Sequence, residues 1–116
     1  GDRFWLGSGQ HELTPTELRI KLGARAVGEI PLATIKSVEK VSRPLDSRKL
    51  SNADAVVAPW GRPNVVLHLQ SQSRVSLQTL GATTPSLRAV FLFLDRPAEF
   101  MAEINLHRQA QAPDHR

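Results

Sequence analysis

Five side chains fall within one stretch of this sequence where they could bind something: Arg43, Arg48, Lys49, Trp60 and Arg62. Guanidinium and ammonium groups meet phosphates or carboxylates, and an indole held between Pro59 and Gly61-Arg62-Pro63 is a large amphipathic ring on a stiff loop. Such a ring either anchors a partner or plugs one end of a small β domain, and the sequence leaves both open. An isolated cation contributes only about 1 kcal/mol near an anionic membrane, so Arg43, Arg48 and Lys49 alone would hold lipid weakly.

Catalytic and metal-binding patterns are sparse. His11, His68, His107 and His115 show no i, i+4 pairing and share no short motif, and the absence of cysteine excludes thiolate metal sites, disulfides and cysteine nucleophiles. His68 lies between Leu67 and Leu69 and reads as an ordinary half-exposed strand residue. Serines are plentiful, yet there is no Gly-x-Ser-x-Gly elbow and no Ser-x-x-Lys pair. Glu12 with Glu17, and Glu99 with Glu103, read as solvated carboxylates rather than acid–base pairs. Gly7-Ser-Gly9 is no phosphate loop, because polar Gln10-His-Glu12 and Pro15 follow it instead of a helix. The expectation is a non-enzymatic protein with no cofactor and no metal.

Composition bounds the rest. A chain of 116 residues, 41% of them hydrophobic, holds enough apolar material for one modest core. The formal charge of +4 is spread along the chain without a basic block, so nucleic-acid binding is not expected. Ala89 to Leu94 is the longest apolar run, far short of the roughly 20 residues that cross a bilayer. A leading Gly1 without an initiator Met reads as a cloning scar or a cut from something longer, so no targeting signal is read from this end; the expected location is the cytoplasm, at the inner face of a membrane if a longer protein carries an anchor.

The elements that must position the loop are mostly strands. Arg3 to Leu6 reads as a first strand. Leu18, Ile20 and Leu22 alternate with Glu17, Arg19 and Lys21, and Val27 to Ile30 resumes after Gly23, which predicts an antiparallel hairpin. Pro31 marks a strand edge or tight turn, and Lys36 to Val41 a further strand. Arg43 to Gly61 is a polar, turn-rich connection, with Ala53 to Val57 as a turn of helix or an edge strand inside it. Asn64 to Gln70 and Arg74 to Gln78 both alternate and predict a second hairpin. Leu87 to Leu94 is apolar on both faces, as a strand under a helix should be. Asp95 reads as the N-cap of that helix, whose apolar stripe is Pro97, Phe100, Met101, Ile104 and His107. The domain is expected to span 1–108, with 109–116 as a frayed tail.

Several phrases in this order resemble bacterial pleckstrin-homology-like domains of unknown function: Leu18-Arg-Ile-Lys21, Glu29-Ile-Pro-Leu-Ala-Thr-Ile-Lys-Ser-Val-Glu39, Pro63-Asn-Val-Val-Leu67 and Phe93-Leu-Asp-Arg-Pro-Ala-Glu-Phe100. The likeness covers roughly Trp5 to Leu106. It implies a mainly β (α+β) fold, a small antiparallel barrel or sandwich of about seven strands closed by one C-terminal helix. It also implies a binding or scaffolding module rather than an enzyme. A protein partner or self-association is expected, with anionic lipid headgroups as the first alternative and a small enzyme without a recognisable motif as the second. Eukaryotic relatives that grip inositol phosphates cluster Lys and Arg around the first hairpin turn, and Gly7 to Thr16 here contains neither. The Arg43 to Arg62 loop is therefore the expected recognition surface.

Overall fold

The computed structural model describes residues 4–5, 11–22, 26–51, 53–58, 62–70, 75, 77–79, 82–84 and 86–111. Among them ten strands precede one helix: β1 (Phe4–Trp5), β2 (Glu12–Leu13), β3 (Glu17–Leu22), β4 (Ala26–Pro31), β5 (Ile35–Lys40), β6 (Asp54–Val57), β7 (Val65–Leu69), β8 (Leu77–Thr79), β9 (Ala82–Thr84), β10 (Ala89–Leu92) and α1 (Pro97–Gln111). Four of these strands are only two or three residues long, so the number of substantial strands is close to the seven expected. The fold is mixed α+β, strand-rich, with a single C-terminal helix.

Two sheets form, in the orders β1-β2-β3-β4-β8-β9 and β5-β7-β10-β6. The chain crosses from the first to the second at Pro31, where a missing N–H ends the ladder. One 3-10 turn, Leu32–Thr34, then buries Leu32 and hands the chain to β5. No ladder joins the sheets among the described residues, so a closed barrel is not formed.

The β3–β4 hairpin stands as expected, pairing Leu18 with Ile30 and Ile20 with Gly28, and Ala53 to Val57 resolves as the edge strand β6. Two expectations fail. β7 does not form a hairpin with the segment after it, because both its edges are taken, by β5 and by β10, and β8 joins β4 instead. Nor is the structure antiparallel throughout: β6 and β10 run parallel, with Asp54 opposite Ala89 and Val57 opposite Leu92. A clasp fixes that register. Arg88 forks onto Asp54, Nε to Oδ1 at 3.2 Å and a terminal nitrogen to Oδ2 at 2.8 Å, where the two strands begin.

Leu18, Ile20 and Ile30 from one sheet meet Val65, Leu67, Leu69, Val90 and Leu92 from the other in a single core. Helix α1 completes it with fully buried Phe100 and Ile104, as the apolar stripe predicts, and lies against the 3-10 turn and β5. Its first internal bond, from the Phe100 amide to the Arg96 carbonyl at 3.1 Å, puts Arg96 rather than Asp95 at the N-cap. Pro97 thus takes the first helical position, where a missing N–H costs nothing. Helical structure continues to Gln111, three residues beyond the expected end at Arg108. Near that end Arg108 donates to the Lys36 carbonyl at 2.8 Å, on the edge strand β5.

Asn64 ties these parts together. Its side-chain amide behaves as an extra peptide unit, with Nδ2 donating to the Leu94 carbonyl at 2.8 Å and Oδ1 accepting the Leu94 amide at 3.0 Å. Its backbone accepts from Val41 and donates to Leu92. The end of β5, the start of β7, the end of β10 and the approach to α1 therefore converge on one residue. Replacing it leaves both Leu94 groups without partners in a buried position, so Asn64→Ala should cost about 2–3 kcal/mol in urea unfolding. Asn64→Asp should be pH-dependent relative to wild type. A protonated carboxyl can still donate to the Leu94 carbonyl and an ionised one cannot, so the folded-state pKa rises. Stability should be retained at low pH and lost as pH climbs through the raised value. A variant that parallels wild type at every pH would refute this role.

Candidate functional site

Residues 41–51 lie across the outer face of the four-stranded sheet. Side chains on that face come from alternate positions, His68 on β7 with Ala89 and Phe91 on β10, while Leu67, Leu69, Val90 and Leu92 point to the core. Val66 and Ala89 are buried although they belong to the outward set and lie outside the core cluster. An open cleft of about 480 Å³ lies there, with Leu45, Leu50 and Phe91 supplying apolar lining, Arg43, Lys49 and Arg88 cationic lining, and Asp46 and Asp54 acidic lining.

Two carboxylates hold the connection in shape. Asp46 accepts the Arg48 amide at 3.0 Å and both arms of its guanidinium, at 3.2 and 3.3 Å, which caps the 3-10 turn Ser47–Lys49. Those bonds, the side-chain ones foremost, hold the Asp46 carboxyl below its ordinary value. Asp54, with only 3% of its side chain exposed, accepts from the Ser51 amide at 2.9 Å as well as from Arg88. The Ser51 hydroxyl in turn accepts the Ala53 amide at 3.1 Å.

The predicted site residues divide accordingly. Arg43 and Lys49 share the main cleft; Arg43 and Arg62 share a smaller one of about 190 Å³ at the end of the sheet, beside Val41 and Pro63. Arg48 belongs to Asp46 instead, with 89% of its side chain in solvent. Trp60 lies outside the described residues, so neither of its two expected roles is decided. Sequence reasoning missed Arg88, His68, Leu45, Leu50 and Phe91 as lining residues. His68, half-exposed as predicted, bonds Glu39 across the β5–β7 pair at 2.6 Å. Arg43, Lys49 and Arg62 have no carboxylate partner among the described residues.

The six-stranded sheet carries a different arrangement. A shallow depression of about 800 Å³ along β3 and β4 is lined by Arg19, Lys21, Val27 and Glu29, but the Arg19 guanidinium is already held by Glu12, Glu17 and Glu29 at 3.3, 3.4 and 3.7 Å. Glu12 and His11, which the sequence places in a polar turn, are both buried. The Arg19 pairing makes Glu12 tolerable there, and His11 Nδ1 accepts the Lys21 amide at 3.0 Å. Among the described residues no three His, Asp or Glu side chains converge as metal ligands, and no helix is long and apolar enough to cross a membrane.

The fold and this loop-covered sheet face define the chain as a small strand-rich α+β domain with a basic surface cleft. No protein family, no curated protein and no solved structure matches it.

His11 generates a pH prediction. Burial holds its pKa below the ordinary 6.5, and protonating Nδ1 would break the bond from Lys21. The unfolded chain therefore binds the proton first, so stability is full above about pH 6.5 and falls as the solution is acidified below it. Urea midpoints at about pH 7.5 and about pH 5.5 should show this drop in wild type. They should show a smaller one in His11→Gln, whose side-chain oxygen can still accept the Lys21 amide; equal slopes would place the dependence on other groups.

Proposed function

We propose that this chain is a non-enzymatic binding and scaffolding module of pleckstrin-homology-like kind, serving protein–protein interaction or assembly near a membrane. The resemblance of its phrases and the sequence of strands ending in one helix support that kinship. So does the strand, short turn and strand that Glu29 to Glu39 forms. The parallel β6–β10 pair and the separate sheets are departures from the simple antiparallel barrel. The function rests on one observation: Arg43 and Lys49 stand over an apolar-lined cleft while the nearby carboxylates Asp46 and Asp54 are committed to holding the loop. Cations left unpaired beside buried apolar surface suit the recognition of a partner with complementary charge.

Panning a random peptide display library on the folded chain tests this, with counter-selection on the Arg43→Glu/Lys49→Glu double variant. Convergent sequences that lose about tenfold or more in affinity on the double variant are expected. Failure to enrich any convergent sequence, together with salt-sensitive sedimentation on phosphatidylserine vesicles, would replace the protein partner with a lipid headgroup.

A further inference from the structure

The cleft under the loop does not stand alone. At one end it shares Val41, Arg43, Pro44 and Leu45 with the small cleft that reaches Arg62. At the other it shares His68 and Arg88 with a depression of about 380 Å³ that reaches Lys36 and Gln70. The three join into a groove along the outer face of the sheet. Pro63, just before β7, marks one end, Gln70, just after it, marks the other, and His68 lines the part between. At about 3.3 Å per extended residue that path is about 23 Å long.

Cations outnumber carboxylates along the groove, where Asp46 and Asp54 are the acidic lining and Arg88 is paired with Asp54, which leaves Arg62, Arg43, Lys49 and Lys36 uncommitted. Arg62, Arg43, Lys49, Arg88 and Lys36 follow one another from end to end. Each carboxylate in the cleft lining is occupied: Asp46 by Arg48, and Asp54 by Arg88 and Ser51. Leu45, Leu50 and Phe91 supply apolar lining between the cations, beside the occupied Asp46 and Asp54.

We infer that this groove seats an extended acidic peptide of about seven residues, with apolar side chains turned to the sheet and alternate acidic ones turned to the cationic rims. The length comes from the path along β7, and the alternation from the two-residue period of an extended chain. The sign comes from the uncommitted cations. A bilayer surface is too flat to enter a groove partly roofed by the 41–50 loop. Single-stranded nucleic acid binds on successive stacked aromatics, and among the described residues Phe91 is the aromatic in this groove. The inference rests on the binding-module reading and adds to it the chemistry and conformation of the partner.

The probe is a capped, fluorescently labelled seven-residue peptide alternating Glu and Leu, titrated by anisotropy against the intact chain. Controls carry Lys in place of Glu, or the same composition with the acidic residues in one block. The alternating acidic peptide should bind in a salt-sensitive way, the basic one should not bind, and the block peptide should bind less tightly. Lys36→Glu and Arg62→Glu, at opposite ends, should each weaken binding about three- to tenfold, and Arg43→Glu at the junction should weaken it at least as much. All three positions are exposed, and unchanged urea midpoints will confirm that the variants fold. Loss on Arg43→Glu with both end variants unaffected would overturn the extended groove and leave a compact binding site. Binding of neither peptide, while library-selected peptides still bind, would overturn the acidic partner chemistry and leave the module reading intact. Failure of the selected peptides as well would remove both.

Discussion

Strand β10 is the constraint on which the other elements of the second sheet depend. It is hydrogen-bonded on both edges, antiparallel to β7 and parallel to β6, and carries apolar side chains on both faces. Val90 and Leu92 look into the core toward Phe100 and Ile104, so the helix must lie on that side. Ala89 and Phe91 look the other way, and something must cover them too. The chain meets the second requirement with residues 41–51. A strand apolar on both faces thus requires a helix lid and a loop lid, and the loop lid lines the cleft.

Two polar devices keep β10 in place, one at each end. At its start the Arg88–Asp54 fork sets the parallel register, and at its finish the Asn64 amide pairs with Leu94. Parallel pairing cannot be made by a tight turn, and the chain between β6 and β10 carries β7, β8 and β9. A long-range contact of this kind needs a specific lock. The bidentate geometry of guanidinium on carboxylate supplies direction as well as attraction.

Local periodicity made much of this legible. The alternation of Leu18 and Ile20 marked β3, Val65 to Leu69 marked β7, and the Phe100–Ile104 stripe marked the helix, because each pattern reports which face is buried. Strand partners were not legible. Val75 and Leu77 alternate as a hairpin partner of β7 would, but pairing depends on which edges are free, and β7 had none left. His11 and Glu12 looked like turn residues because their burial is made possible by Lys21 and Arg19, on the neighbouring strand. At the candidate site Arg43, Lys49 and Arg62 could be chosen by type and proximity. Arg88 could not, since it lies far along the chain from the loop whose cleft it lines.

The basic surface follows from how the loop is held. Asp46 and Asp54 line the same cleft as Arg43 and Lys49, and a freely moving loop would let them neutralise those cations in turn. Instead Asp46 closes a short turn on its own neighbour Arg48, and Asp54 is spent on Ser51 and on the β10 clasp. Covering the apolar face of β10 therefore consumes the loop's negative charge and leaves its positive charge facing the cleft. A fixed excess of one sign beside apolar lining, with the carboxylates there already occupied, leaves a potential to act on an opposite charge that approaches. The chain's modest overall excess of +4 thus gives a poor measure of the local potential, which is set by which carboxylates the fold has already committed.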